Sequence, residues 1–486
     1  MAENKISCER DAISSEQIHR RLQSATTNGS VSLVTELLAI EHLLPYQDEG
    51  FISPVSDFLN NQKLDIFHIT TDAVVSGQDI FRVAHILTLI FPKVNYIEPS
   101  SLLRFLKIYD EKTKNDLMSG QLFEPIRNRT ALNNEWGLNL EKIILGSNEK
   151  IFYSYLLAIY LGFSDSDYDF GYNKIKSAYS SRTQELKNIG LRGVGLIGNL
   201  SDESKEESFK ALILGVDDVN ESIATNAAFS LSRLCRESEE LNKKRIELSK
   251  NAIPAVRFEI LRQIQFKQGQ LDPDDIEIVK NLCVYDPNLK GITDSLDSIL
   301  YFLLQKAHHD TAKVILTTWV SSHPTEEHMQ YNFTEIFNSS IFEIVKNKDL
   351  VEVIITEWFN SDDFRYHHVL QKIISYMGVR DVKNIGFNLN ILKTFNETDL
   401  LYIVRKVLGF VHDFDISISL MLSMLNLDSL SNRTAALVAS VLIEHIGDNY
   451  LVKTIDRLNL ELKTASVGTD KFKALKTAAA ELQKRK

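Results

Sequence analysis

The chain has 486 residues, a formal net charge of −11 and a 44% hydrophobic content. That length exceeds one ordinary core and predicts either several domains or one extended stack of units. The acidic balance opposes generic binding to phosphate backbones, which needs clustered Lys and Arg, and 9 prolines with 20 glycines argue against a loop-rich β fold.

Residues 1–11 carry charges where a secretory segment would be apolar, and no run of about 20 apolar residues would span a bilayer. Cys8, Cys235 and Cys283 form no CxxC arrangement, which suits a reducing compartment without disulfides or thiolate metal sites. The Asn-x-Ser/Thr triplets at Asn128, Asn220, Asn338 and Asn432 are then chance matches. A soluble, cytoplasmic protein is expected.

In chain order, residues 26–30 (T-T-N-G-S) signal a loop. A helix is predicted from Val31 to Leu44, stopped by Pro45. The run from Gln78 to Phe91 ends before Pro92 and carries a wide apolar face; Leu102 to Tyr109 and Ile151 to Leu161 read likewise as helices. Gly120, Pro125, Gly137 and Gly146 make residues 110–150 less regular. Residues 1–180 are therefore expected to be helical with weak repeat character.

From about residue 185 the pattern sharpens. A helix at Phe209 to Leu214 is followed by G-V-D-D-V-N-E-S and a second helix from Ile223 to Cys235. There Ile223, Ala227, Leu231 and Leu234 form one stripe, and small Ala224 and Ala228 permit close helix approach. A duplication follows. Asp310 begins D-T-A-K-V-I-L-T-T-W-V-S-S and Asp349 begins D-L-V-E-V-I-I-T-E-W-F-N-S, an offset of 349 − 310 = 39 residues. A fixed offset of about 20–50 residues marks stacked repeats, in which each unit buries its apolar face only against its neighbours. Each copy is predicted to be one helix, with Asp310 or Asp349 capping its first turn. Val314, Ile315 and Trp319 should share one face, as should Val353, Ile354 and Trp358.

Several turns share a further pattern. Asp218 precedes Ile223; Val256-Arg257 lies in N-A-I-P-A-V-R-F-E-I-L; Asp286-Pro287 precedes Ile292; Asp362-Asp363 precedes Phe364-Arg365; and Asn432-Arg433 precedes Ala435. This pattern resembles the HEAT repeat, in which two antiparallel helices flank a short Asp-bearing turn and an apolar-Arg step enters the second helix. Ala224 stands where that step would have its basic residue. Ile223, Val256, Ile292, Phe364 and Thr434 are spaced by 33, 36, 72 and 70 residues, so units are also expected near Glu326 to Phe337 and Thr398 to Phe410. A tetratricopeptide Trp/Leu/Gly/Tyr/Ala pattern cannot be placed. The resemblance, over residues 185–460, implies an all-α fold: a right-handed α-solenoid of antiparallel helix pairs. The expected divisions are an N-terminal helical region at 1–180, the solenoid at 181–462 and a basic capping helix at 463–486. Thr464 to Gly468 would link the last helix, whose Lys471, Lys473, Lys476, Lys484, Arg485 and Lys486 outnumber Asp470 and Glu481.

Candidate sites are few. The hexad from Gly193 to Gly198 spells G-x-G-x-x-G, with Asp217 and Asp218 about 20 residues on. Dinucleotide binding needs a preceding strand, whereas T-Q-E-L-K-N-I-G-L-R is helical in pattern, so small residues at a helix crossing explain the glycines better. Asp165, Asp167 and Asp169 alternate as in a calcium loop, but Phe170 and Lys176 stand where Gly and a bidentate Glu are needed. His308, His309, His323, His328, His367 and His368 read as structural or surface residues, the first two at a helix end where positive charge is favourable. Trp319 and Trp358 read as core between repeats. Arg257, Arg365 and Arg433 read as an Asp-Arg ladder between turns, or alternatively as donors along a concave face.

No H-E-x-x-H, G-x-S-x-G or G-x-x-x-x-G-K-[ST] motif occurs. The expectation is a non-catalytic scaffold or regulatory subunit, with no cofactor or metal, that binds a protein partner along the concave surface of its second helices. The residues named for that surface are Arg233, Arg236, Arg262, Tyr366 and His367. The alternatives are a nucleic-acid-binding HEAT-like protein with a local basic groove, and an enzyme whose site is assembled from scattered residues.

Overall fold

The computed structural model describes residues 13–43, 49–113, 120–147, 149–198, 200–284, 290–323, 333–380 and 382–486. Cys8, Pro45, the Asp286-Pro287 turn, His328 and part of the unit expected near Glu326 lie outside these residues. Among the described residues there are 28 α-helices and no strand.

Contacts divide the chain into residues 1–242 and 243–486. The first unit contains α1 Ser15–Thr26, α2 Ser30–Leu43, α3 Glu49–Gln62, α4 Ile66–Val75, α5 Ile80–Ile90, α6 Pro99–Thr113, α7 Phe123–Leu132, α8 Asn134–Gly146, α9 Tyr153–Ser166, α10 Tyr168–Tyr179, α11 Gln184–Val194, α12 Asp202–Val216 and α13 Glu221–Leu234. The boundary falls in α14 Glu239–Asn251. The second unit continues with α15 Pro254–Gln265, α16 Pro273–Cys283, α17 Lys290–Gln305, α18 His309–Ser322, α19 Phe333–Ile336, α20 Asn338–Lys346, α21 Lys348–Asn360, α22 Phe364–Val379, α23 Leu389–Leu392, α24 Glu397–Phe410, α25 Phe414–Met424, α26 Asn432–Ser440, α27 Leu451–Thr464 and α28 Asp470–Arg485.

Most helices begin on a residue that satisfies free N–H groups of the first turn. Asp65, Asp79, Asn220 and Asp363 each accept such bonds, and Ser14 with Gln17, Asp272 with Asp275 and Asn396 with Asp399 form reciprocal capping boxes. Within each unit, many helices pack on the next helix, the next but one, or both. In the first unit α2 lies on α4, α4 on α6, α9 on α11 and α11 on α13; in the second, α15 lies on α17, α16 on α18, α24 on α26 and α26 on α28. These contacts stack α-helices in overlapping pairs within each unit. Residues 120–147 are more regular than their glycines suggest: Pro125 sits in the first turn of α7, where its missing N–H has no intrahelical acceptor.

The duplicated stretch forms α18 and α21. Ala312, Ile315, Leu316, Trp319 and Val320 are buried in the first copy, and Val351, Ile354, Ile355, Trp358 and Phe359, each 39 residues on, are buried in the second. Trp319 packs on His323, Phe333 and Phe337, at 4.6, 5.7 and 4.8 Å between ring centroids. The Trp358 Nε1 group donates to Thr317 Oγ1 at 3.3 Å, joining the two copies. Two details differ from expectation. Val314 is 39% exposed, because the stripe turns one position away from it. Asp310 and Asp349 do not cap: Asn347 caps α21, His308 occupies the cap position of α18 with no side-chain bond, and each aspartate lies inside the first turn, favoured there by the helix dipole. His308 and His309 therefore stand at a helix start, where positive charge is disfavoured.

Arg245, Asp275 and His367 are among the polar side chains that are deeply buried. Arg245 is paired with Asp275 at 2.9 Å, with 1% and 0% of the side chains exposed, and Lys267 adds a second cation at 2.6 Å. His367, expected on the binding surface, is only 1% exposed, wedged against Phe359, Phe364 and Phe410. Its Nε2 lies 2.9 Å from the Ser361 carbonyl oxygen. Burial, followed by the charge of Lys406, pushes its pKa down, against the opposing pull of hydrogen bonds to the Ser361 and Trp358 backbone and of the Asp363 charge. At the C-terminal end, α28 buries Ala474, Leu475, Ala478, Ala479 and Leu482 and packs on α26 and α27. Its Lys471 and Arg485 pair with Glu461 and Asp448 at 3.6 and 2.6 Å.

Two outcomes are expected. Trp319→Ala should lose about 3–5 kcal/mol by chemical denaturation, while Val314→Ala should stay within about 1 kcal/mol; equal losses would contradict the observed stripe. A histidine whose folded pKa is depressed binds its proton more readily when unfolded. Its contribution to stability is therefore complete above the ordinary imidazole value of about 6.5 and is lost as pH falls below it, until the folded-state pKa is reached. Between pH 7.5 and 5, His367→Phe should remove part of the wild-type loss of stability, and superimposable profiles would refute this role. The Ser361 carbonyl keeps Lys406 Nζ as a donor at 2.7 Å in that variant.

Candidate partner-binding surface

In the first unit, α11 and α13 cross closely because Gly195, just beyond α11, admits Ser230: a Cβ there would stand 2.5 Å from Ser230 Oγ. The Gly195 N–H donates to Ser230 Oγ at 3.0 Å, and that hydroxyl donates to the Leu191 carbonyl at 2.6 Å. The G-x-G-x-x-G stretch thus terminates a helix and fits a crossing, with no strand before it.

Along the crossing runs a row of side-chain bonds. Gln184 donates to Asn220 at 3.1 Å, Asn188 to Ser222 at 2.8 Å and Arg192 to Asn226 at 3.3 Å. The row ends at Phe229, whose ring carries two guanidinium groups, Arg192 at 4.1 Å and Arg233 at 5.6 Å from its centroid. Arg233 Nε also donates to the Gly195 carbonyl at 2.8 Å, fixing the side chain. Arg233 and Arg236 are both exposed. The turn aspartate Asp218 accepts Lys187 at 2.7 Å and the Asn220 N–H at 2.9 Å, and the Lys187 bond holds its carboxyl below the usual range. Sequence reasoning did not identify Arg192, Asn226 or Phe229. Phe229 lies four residues before Arg233, an audible helical spacing, but Arg192 lies 229 − 192 = 37 residues before the ring, one repeat away.

Arg262, Tyr366 and His367 belong to the second unit. Arg262 is exposed, 5.7 Å from the Phe266 ring and 3.7 Å from Glu259. Tyr366 is half-buried: its ring lies 5.2 Å from Trp358 and its hydroxyl donates to the Thr317 carbonyl at 3.4 Å. His367 offers no surface to a partner. The sequence placed it on the surface because a histidine beside exposed His368 and Tyr366 carries no apolar signal of its own.

The remaining candidates have structural occupations. Asp165 receives a two-pronged bond from Arg127 at 2.6 and 2.9 Å, and Asp167 caps α10. His323 is buried beside Trp319 with its Nε2 2.6 Å from the Cys283 carbonyl oxygen. Arg365 grips Asp363 of its own turn at 2.6 Å and reaches the His323 carbonyl at 3.5 Å, while Arg257 donates to the Lys250 carbonyl at 2.6 Å and Arg433 is exposed. Acid–base rungs between successive units use lysine as well as arginine: Lys187 pairs with Asp218 and Lys313 with Glu357, at 2.7 and 2.8 Å, as Arg127 does with Asp165. Among the described residues, no group of three His, Cys, Asp or Glu could hold a metal ion, and no helix is long and apolar enough to cross a membrane.

No family model matches the chain, and neither does any curated protein. Among solved structures, the chain is similar to importin beta crystallised in ammonium sulfate, at 12% identity over 96% of this chain and 74% of that one, with a TM-score of 0.29. It is also similar to a chain of the Pds5–Scc1 complex, whose structure was described for its implications for cohesin function, at 12% identity over 96% and 80% of the two chains and a TM-score of 0.24.

Proposed function

We propose that this chain is a non-catalytic scaffold or regulatory subunit that binds a protein partner, and that Arg192 and Arg233 on the Phe229 ring, together with exposed Arg236, form part of its contact surface. The observation that carries this reading is the pair of guanidinium groups held on one phenyl ring. Arg and aromatic side chains are enriched at the energetic centres of interfaces. Here the rotamer of Arg233 is already fixed by the Gly195 carbonyl, so less side-chain freedom remains to be lost on binding. Such a cationic patch on a protein of net charge −11 favours an acidic patch on the partner. The buried, unbridged thiols of Cys235 and Cys283 suit the cytoplasm.

The test is affinity purification of the tagged chain from its own cells, followed by measurement of each stoichiometric partner against Arg233→Glu and Arg236→Glu. Affinity should fall by about tenfold or more, with the melting profile unchanged because neither side chain is buried. Undiminished affinity for every partner would remove these arginines from the interface.

A further inference from the structure

In the second unit, three successive neighbours, α17, α20 and α22, end on the same local device. In each, an aromatic residue is followed four positions later by a hydrogen-bond donor: Tyr301 and Gln305, Phe342 and Lys346, Tyr376 and Arg380. The donor folds back on its own ring. Gln305 Nε2 donates to the Tyr301 hydroxyl at 2.6 Å, Lys346 Nζ lies 3.8 Å from the Phe342 centroid, and the Arg380 guanidinium lies 5.4 Å from Tyr376 and 5.3 Å from Phe342. All six residues line one cleft of about 710 Å³. We infer that this cleft is a docking groove for an acidic peptide segment of a protein partner, with apolar side chains on the rings and carboxylates on Arg380 and Lys346. This inference rests on the protein-binding reading above and names the chemistry of a second contact.

The charges decide the occupant. Arg380 is exposed, and its described contacts are the two rings and the Tyr376 hydroxyl at 3.2 Å, so no carboxylate among the described residues meets its positive charge. Lys346 pairs with Glu343 at 2.8 Å but remains 53% exposed. A guanidinium lying over rings uses its face and keeps N–H groups in its plane for a carboxylate. Phe342 is itself 38% exposed. The groove also holds Asp294, Asp297 and Glu343 on its walls. These would repel a continuous phosphate backbone, whereas a peptide bears its charges singly and can place them only at the cationic end.

The test selects random peptides displayed on phage against the full chain, with Arg380→Glu and Phe342→Ala as counter-selection. Enriched peptides should combine Asp or Glu with Leu, Phe or Trp, and their synthetic versions should bind each variant about tenfold or more weakly than wild type. Arg380→Gln, which keeps the polar contact, controls for misfolding, and melting curves should show all three variants folded. Enrichment of Lys and Arg, no enrichment, or equal affinity for wild type and variants would overturn the inference. So would oligouridine binding at low salt that Arg380→Glu abolishes, or a wild-type dimer that Phe342→Ala converts to monomer. Failure here together with partner capture sensitive to Arg233 would sink the groove and leave the scaffold reading standing; loss of both would sink the scaffold reading.

Discussion

Much of the packing in either unit joins helices that lie about one repeat apart in the chain. An isolated amphipathic helix leaves its apolar stripe in water, and its propensity alone seldom holds it together. Here many helices are covered by the next helix, the next but one, or both, as α11 is by α12 and α13. The stabilising contacts therefore span about one repeat, as in Trp358 with Thr317 at 41 residues' separation, Trp136 with Ile97 at 39 and Tyr155 with Asp110 at 45. Short separations keep the loop-closure entropy small. They also make each unit's stability a sum of neighbour terms.

Polar groups follow the same geometry. The turns are ordered locally by capping Asp, Asn and Ser, while the rungs between units use lysine as well as arginine. These rungs are half-buried; the exposed pairs elsewhere, such as Lys210 with Glu206, contribute little stability, because water screens both charges. Arg245 and Asp275 are different, since both are removed from water; the second cation, Lys267, and the N-terminal turn of α16 supply the further bonds that an interior carboxylate needs.

This geometry explains what the sequence could disclose. The duplication was legible because burial at Ala312, Ile315, Leu316, Trp319 and Val320 repeats at a constant offset, and period is visible without any structure. The caps were misassigned because Asp310 and Asp349 favour a first turn from within almost as well as from its cap, and only backbone angles separate the two. His367 was misplaced because three phenyl rings from different segments, Phe359, Phe364 and Phe410, close over it, and no local pattern encodes that enclosure. The Phe229 surface was half legible. Arg233 is a helical neighbour of the ring, whereas Arg192 reaches it through the α11–α13 crossing that Gly195 permits. Likewise each aromatic–donor pair on α17, α20 and α22 is a local spacing, but their convergence on one cleft depends on how the three helices stack.

Both surfaces have the same construction: a cation held over an aromatic ring. The ring shields one face of the cation from water and fixes its position without neutralising it, because the attraction comes from the ring's quadrupole and not from an opposite charge. A salt bridge would fix the side chain equally well but would consume the charge that a partner must find. Arg380, held by Tyr376 and Phe342, shows the consequence: no carboxylate among the described residues meets its charge. In a chain whose carboxylates outnumber its basic groups, 65 to 54, some ring-held cations are paired as well, as Lys346 is with Glu343 and Arg262 with Glu259. A cation fixed by rings alone keeps its charge for a carboxylate on another molecule.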